Sequence, residues 1–129
     1  MIETVTITVQ TNYKLTKNGM KNTSSWTIKK LTREHREIAK RLSFRAKKKH
    51  DIKKPLSNPE LFIQAYYGRN PMDYDGLACA VAPAVDGLVD AGILEDDSPK
   101  VIEGYHLLKP IKVSKMSEQR VEVSVRGKR

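Results

Sequence analysis

Apolar and polar residues alternate at the start of the chain. Over residues 2–9, Val5, Ile7 and Val9 are separated by threonines, and β-branched side chains dominate. This pattern is typical of a strand with one buried face. Residues 11–30 lack such a period and contain an Asn-Gly dipeptide. They predict an exposed loop or a loose hairpin around that turn.

A first helix is predicted from about Thr32, because a threonine N-cap candidate precedes a segment of helical period. Residues spaced at i, i+3, i+4, i+7 and i+11 form one stripe of this helix, namely His35, Ile38, Ala39, Leu42 and Ala46. We interpret His35 as a half-buried residue of the stripe, since no second His or Cys lies at metal-ligand spacing.

The later segments alternate between strand and helix patterns. Residues 60–67 predict a strand in which Tyr66 and Tyr67 point to opposite faces, one of them toward the core. A second helix is expected from about Gly76 to Ala91, with Pro83 causing a kink or a break and Gly92 ending it. The remaining predicted segments are a third strand over residues 100–108, a fourth over residues 121–125 and a mobile basic tail over residues 126–129.

The element order β, α, β, α, β, β predicts one α+β domain over residues 1–129. We expect a mixed sheet of about four strands flanked by two main helices, with the last two strands antiparallel to each other. No apolar run reaches the length of a membrane span, and the first residues lack the features of a signal peptide. A cytoplasmic protein with no membrane partner is the resulting expectation.

Charge is divided unevenly along a chain whose net charge is +9. Residues 1–69 hold 16 Lys and Arg against 5 Asp and Glu, and residues 108–129 hold 7 against 2. Residues 70–107 hold 1 basic residue against 8 acidic ones. Basic surface favours a polyanionic partner, because neutralising phosphates releases condensed counterions. The acidic segment has two interpretations, an ordinary solvated face or carboxylates that hold a divalent cation.

The densest basic run lies toward the end of the first predicted helix. Cations there suit the helix macrodipole, and so dense a run also favours contacts with a phosphate backbone. The residues predicted to contact DNA are Lys40, Arg41, Arg45, Lys47, Lys48, Lys49 and, in the turn after the second strand, Arg69.

Four aspartates of the acidic segment form the candidate chemistry. Asp73 and Asp75 are two residues apart, so in extended backbone their side chains point the same way. Asp96 and Asp97 follow about one helix length later, where the chain can return to the first pair. Converging carboxylates suit Mg²⁺ or Mn²⁺, which can activate water for phosphodiester cleavage. The alternative is that Asp75 caps the second helix and that Asp96 and Asp97 are turn residues before a proline.

These aspartates belong to a longer string that resembles a known family. The string runs Asp73-Tyr-Asp75-Gly-Leu, then Asp86-Gly-Leu-Val-Asp-Ala-Gly-Ile-Leu-Glu-Asp96-Asp97. It is similar to the signature of the RusA-like crossover junction endodeoxyribonucleases, the Holliday-junction resolvases of phages, prophages and bacteria. The similarity covers residues 71–103 in detail and the rest of the chain in element order only.

The resemblance implies a homodimeric, Mg²⁺-dependent endonuclease that resolves four-way DNA junctions by paired symmetric nicks, with Mn²⁺ as a substitute ion. By position match, Asp73, Asp75 and Asp97 would be the catalytic, metal-binding carboxylates, with Asp96 as a further ligand and Asp86 as a supporting acid. Branched DNA would be the partner, held by phosphate contacts from the first helix and the tail. The setting would be the cytoplasm of a bacterial or phage-infected cell.

The sequence departs from the family pattern in ways that leave other functions open. Gly76 stands where an Asn is usual, and the family's helix lysine would fall at Cys79 or at Ala82, depending on the spacing. Either another lysine substitutes, such as Lys100, Lys109 or one from a partner subunit, or the protein binds branched DNA without cleaving it. A third hypothesis is a small basic RNA-binding or assembly protein whose acidic segment meets a partner.

Overall fold

The computed structural model describes residues 1–10, 17–21 and 23–129. Its elements, in chain order, are β1 (Ile2–Val9), α1 (Lys17–Lys21), α2 (Ser25–Lys49), β2 (Ser57–Tyr67), α3 (Tyr74–Asp90), β3 (Gly104–Leu107), β4 (Ile111–Lys112) and β5 (Arg120–Lys128). The fold is α+β, with a mixed five-stranded sheet and two main helices, α2 and α3, as the sequence predicts. No helix in these ranges is both long and apolar enough to cross a membrane.

The sheet joins the two ends of the chain. β1 and β5 pair antiparallel, from Ile2 opposite Lys128 to Val9 opposite Val121. β5 also pairs antiparallel with β2, while β2 pairs in parallel with β3 and β4. The resulting strand order is β1-β5-β2-β3, with β4 beside the end of β2.

Strand alternation places branched side chains on one face of this sheet. The fully buried residues include Val5 in β1, Leu61 and Ile63 in β2 and Val123 in β5. They form one hydrophobic cluster with residues of the two main helices, namely Ala39 of α2 and Leu77, Val81, Val85 and Leu88 of α3. Both helices therefore pack on the same face, and the threonines of β1 on the other face are exposed.

α2 and α3 pack together closely at Gly87. A Cβ atom at Gly87 would lie 2.7 Å from Ala39 Cβ and 2.8 Å from Lys40 N, so the absence of a side chain permits this approach. The Arg36 guanidinium of α2 donates two hydrogen bonds, of 2.7 and 2.8 Å, to the Asp90 carboxylate of α3. These contacts fix the basic helix beside the helix that carries the candidate carboxylates.

The first main helix begins earlier than the sequence pattern predicts. α2 starts directly after Ser24, whose side chain caps it by accepting a 3.2 Å hydrogen bond from the N–H of Thr27. Thr32 is therefore inside the helix and not its N-cap. The loop or hairpin predicted over residues 11–30 is wrong where the chain forms α1 and the first turns of α2. The rest of that segment, residues 11–16 and 22, lies outside the described residues.

The second predicted helix is α3, with boundaries shifted by about two residues. It begins after Asp73 instead of near Gly76, and it continues through Pro83 without a break. It ends before Gly92, whose φ of +81° favours glycine and supports the predicted C-terminal signal.

The predicted third strand is shorter than expected, and its pairing is different. Of residues 100–108, only Gly104–Leu107 form a strand. The N–H groups of Val101 and Ile102 both bond to the oxygen of Ser98, which holds the preceding segment in a turn. The last two predicted strands do not pair with each other, because β2 lies between β3 and β5.

The basic tail predicted over residues 126–129 is part of the sheet. β5 continues to Lys128, and the Arg129 guanidinium donates to a Glu3 carboxylate oxygen at 3.1 Å and to the backbone oxygen of His50. His50 Nδ1 lies 2.7 Å from the other Glu3 oxygen. Arg129 first, and His50 second, lower the pKa of Glu3. The two ends of the chain and the end of α2 are thus tied together.

Candidate functional site

Asp73 and Asp75 stand at the N-terminus of α3. The Oδ1 atom of Asp73 accepts a 2.6 Å hydrogen bond from Gly76 N, so Asp73 is the N-cap. Asp75 lies in the first turn and is exposed. The alternative in which Asp75 caps the helix is therefore wrong, and so is the extended backbone assumed at Asp75. Both carboxylates lie at the positive end of the helix dipole, which favours anions.

Asp96 and Asp97 lie in the exposed turn that follows α3. The N–H of Asp97 donates to Asp96 Oδ1 at 2.9 Å. That bond first, then one from the Ser98 side chain, lowers the pKa of Asp96, and the charge of Lys100 adds to the effect. Asp96 therefore has the turn role that the alternative interpretation assigns to it. Lys100, one of the lysines considered as a substitute, lies close to this turn.

The length of α3 separates the two pairs of aspartates. A helix of 17 residues spans about 25 Å. After α3, Asp97 lies near enough to Asp86 for its charge to add to the rise that burial causes in the pKa of Asp86. Within the described ranges, no group of three or more His, Cys, Asp and Glu side chains is close enough to hold a metal ion. The four aspartates are thus not gathered around one position, and their metal-binding role stays a prediction.

Asp86, the predicted supporting acid, belongs to a charge cluster between the helices. The Oδ2 atom of Asp86 lies 4.0 Å from Nη1 of Arg36. The Nε atom of the same arginine binds Asp90. Burial raises the pKa of Asp86, the charge of Arg36 opposes that rise, and Asp97 and Asp90 add to it by repulsion. Arg36 is a residue that the sequence pattern did not single out, since no spacing rule connects it to a partner 54 positions away.

The predicted DNA-binding residues divide into two groups. Lys47 donates to the backbone oxygen of Ala91 at 3.1 Å, just after α3. Lys40 lies near Asp90, whose pKa is lowered first by Arg36 and also by the charge of Lys40. The members of the second group are exposed and form no ion pair with the described acidic residues, namely Arg41, Arg45, Lys48, Lys49 and Arg69. These five cations can bind phosphates without breaking an internal ion pair.

Exposed aromatic side chains also lie on the basic helix α2. Trp26 is 70 % exposed, with Lys30 Nζ 5.4 Å from its ring centroid, and Phe44 is 47 % exposed. Aromatic residues among cations are typical of surfaces that bind nucleic acid. Trp26 was not predicted as a surface residue of the helix, because it falls in the segment predicted as a loop. The Ser24 cap signal before it would have placed Trp26 on the helix.

A cavity of about 150 Å³ opens beside the start of α3. Tyr66 and Tyr67 from the end of β2 line it together with Asn70, Met72 and Gln119. Both tyrosines are half-buried, so neither is the core residue that strand alternation predicts. The cavity adjoins the start of α3, because Met72, just before the Asp73 cap, and Leu77, in the first turns of the helix, both line it.

No family model matches the chain, and no curated protein matches it. The resemblance to RusA-like endonucleases therefore rests on the residues of this chain, in detail over residues 71–103 and in element order elsewhere.

Proposed function

We propose that this protein is a metal-dependent, structure-specific endonuclease that acts on branched DNA, with four-way junctions as its substrate. The observation that carries the proposal is the placement of exposed carboxylates at both ends of α3, beside α2, where the exposed Arg41, Arg45, Lys48 and Lys49 form no ion pair with the described acidic residues. A polyanion would neutralise those cations. A divalent cation would relieve the repulsion between phosphates and carboxylates.

Few protein ligands would be needed for the metal ion. Mg²⁺ usually keeps several waters and is bound by one or two carboxylates together with substrate phosphates. Asp75, and Asp73 through the oxygen that does not cap α3, are the pair best placed for this role. A site completed by DNA is consistent with the lack of a three-ligand group in the described part of the chain. The ion would activate water and stabilise charge on the cleaved phosphate.

Paired symmetric nicks require two sites related by a two-fold axis, so the proposal includes a homodimer. Sedimentation at the concentrations used for cleavage should give the mass of a dimer. A monomer under those conditions would contradict coordinated nicking.

The proposal is tested with an end-labelled mobile four-way junction and a linear duplex of the same sequence. Each is incubated with the protein in Mg²⁺, in Mn²⁺ or in EDTA. We expect paired nicks on the junction in either metal and none in EDTA. Equal cleavage of the linear duplex would refute the structure-specific assignment, and cleavage in EDTA would refute the metal dependence.

The second candidate is a protein that binds branched DNA without cutting it. It is favoured by the lack of lysine on α3. It predicts tight junction binding with no nicks in either metal. In that case Ala82→Lys, at an exposed position of α3, tests whether the missing cation is the cause. Restored nicking would assign the defect to that position, and no preference for branched over linear DNA would contradict both candidates.

A further inference from the structure

We propose that the cavity beside α3 receives a nucleobase that has left the stack of the bound DNA. The proposal rests on the proposed function, since it names a part of the DNA that the same site would recognise besides phosphate. The cavity and the start of α3 share the segment that leads from β2 into the helix, so a base in the cavity would lie close to Asp73 and Asp75.

The walls of the cavity suit a flat ring with polar edges. Tyr66, Tyr67 and Met72 supply aromatic and polarisable surface. The Asn70 amide is exposed and makes no hydrogen bond to other described residues, so it can both donate and accept. Gln119 accepts from the N–H of Gly68 at 3.2 Å through Oε1, which leaves its NH₂ group as a donor. Pockets that hold a flipped base combine such stacking surface with hydrogen bonds to the base edge.

The size of the cavity limits the ring that it can hold. Its volume is about 150 Å³, and a protein cavity of about that volume binds benzene. A single-ring base therefore fits, whereas a two-ring base would extend through the opening.

Three cations adjoin the residues that line the cavity. The Arg120 guanidinium lies 4.0 Å from the centre of the Tyr66 ring. Lys112 is the sheet partner of Tyr67, and the exposed Arg69 directly precedes Asn70 in the chain. Positive charge here suits the phosphates on either side of an unstacked base, because such contacts position the backbone while the cavity holds the base.

The proposal is tested by base unstacking in a complex that cannot be cut. Junctions carrying 2-aminopurine beside a thymine, at each position around the branch point, are bound to the wild-type protein in EDTA. The fluorescence of 2-aminopurine rises when its neighbour leaves the stack. We expect the wild-type protein to raise the signal at one position of the junction and at none of the linear duplex.

Two variants connect this signal to the cavity. Ala65→Leu places a larger side chain on its lining and should abolish the rise. Asn70→Ala removes the exposed amide and should lower the ratio of unstacked to stacked base by about three- to tenfold. Ser114→Ala is the control, since Ser114 is exposed and does not line the cavity. Thermal melting establishes whether Ala65→Leu folds, and if it does not, Asn70→Ala decides alone.

The outcomes separate the cavity from the nuclease. Junction binding without a rise at any position would overturn the cavity proposal, and so would a full rise in the folded variants. A rise that depends on the cavity, without cleavage in Mg²⁺ or Mn²⁺, would support the cavity and contradict the nuclease. Cleavage without any rise would do the reverse. A protein that binds no branched DNA would overturn both.

Discussion

Replacing Gly87 with alanine should destabilise the protein, although alanine is the better helix former. The new Cβ would lie 2.7 Å from Ala39 Cβ, 2.8 Å from Lys40 N and 2.9 Å from the Ala39 carbonyl carbon. Unbonded carbon atoms pack at about 3.5–4.0 Å, so α2 would have to move away by roughly 0.7–1 Å. Overpacking of this kind costs about 1–3 kcal/mol, and helix propensity returns up to about 1 kcal/mol. The three atoms belong to the backbone or Cβ of α2 and cannot rotate away, so the cost lies in the upper part of that range, at about 2–3 kcal/mol, and the net loss should be about 1–2 kcal/mol.

Urea unfolding measures this change, with a lower midpoint expected at an unchanged slope. Ala82→Gly is the matched control, because Ala82 is exposed on the same helix. It reverses the propensity change and should cost about 1 kcal/mol. A Gly87→Ala protein as stable as the wild type, or more stable, would refute the close approach of α2 and α3.

Two contacts between the helices lead to further predictions. Asp90→Asn removes a partner of Arg36 and should cost about 1 kcal/mol at neutral pH, the upper range for a partly exposed pair. Because Arg36 lowers the pKa of Asp90, this stabilisation is present above the unfolded-state pKa of about 3.9 and is lost as pH falls through the folded-state pKa. The free energies of unfolding of the wild type and the variant should therefore converge in acid. A difference that stays constant with pH would count against the ion pair. Lys47→Met should lower the melting temperature, since it removes the donor to the backbone oxygen of Ala91. Arg45→Met should leave the melting temperature unchanged. It should instead reduce the dependence of DNA affinity on salt concentration by about one phosphate contact. Melting curves and salt titrations by fluorescence anisotropy separate the two roles, and the opposite pattern would show that they are misassigned.

The spacing of apolar side chains was sufficient to predict the strands and helices that bury one of their faces. Residues 2–9 alternate because one face of β1 packs on the helices, and the apolar side of α3 repeats at helical spacing for the same reason. The start of α2 was missed because a serine cap and a polar loop share the same residue types. β4 has two residues, too few to show a period.

Strand order was not predictable from local patterns. β5 lies between β1 and β2, so its pairing depends on contacts between segments far apart in the chain. The local signals around residues 126–129, which are mostly charged, favoured a tail. Pairing with β1 and the contacts of Arg129 place these residues in the sheet instead.

The residue types of the candidate site and their order along the chain were predictable, but the distances between them were not. Local chemistry favours an aspartate cap at the start of α3, but spacing alone could not choose between Asp73 and Asp75. The sequence pattern predicted the length of α3 but not that this length would keep the two aspartate pairs apart. The Arg36–Asp90 contact and the cavity are formed by residues distant in the chain, so no motif indicates them.

Cleavage of a four-way junction by the Asp75→Asn protein tests the central claim most directly. This change removes the charge of an exposed carboxylate while keeping its size, and Glu95→Gln makes the same change at an exposed acid outside the predicted site. We predict that the wild type and Glu95→Gln nick the junction at equal rates in Mg²⁺, while Asp75→Asn binds it without nicking. Nicking by Asp75→Asn at the wild-type rate, or no nicking by the wild type in either Mg²⁺ or Mn²⁺, would contradict the claim.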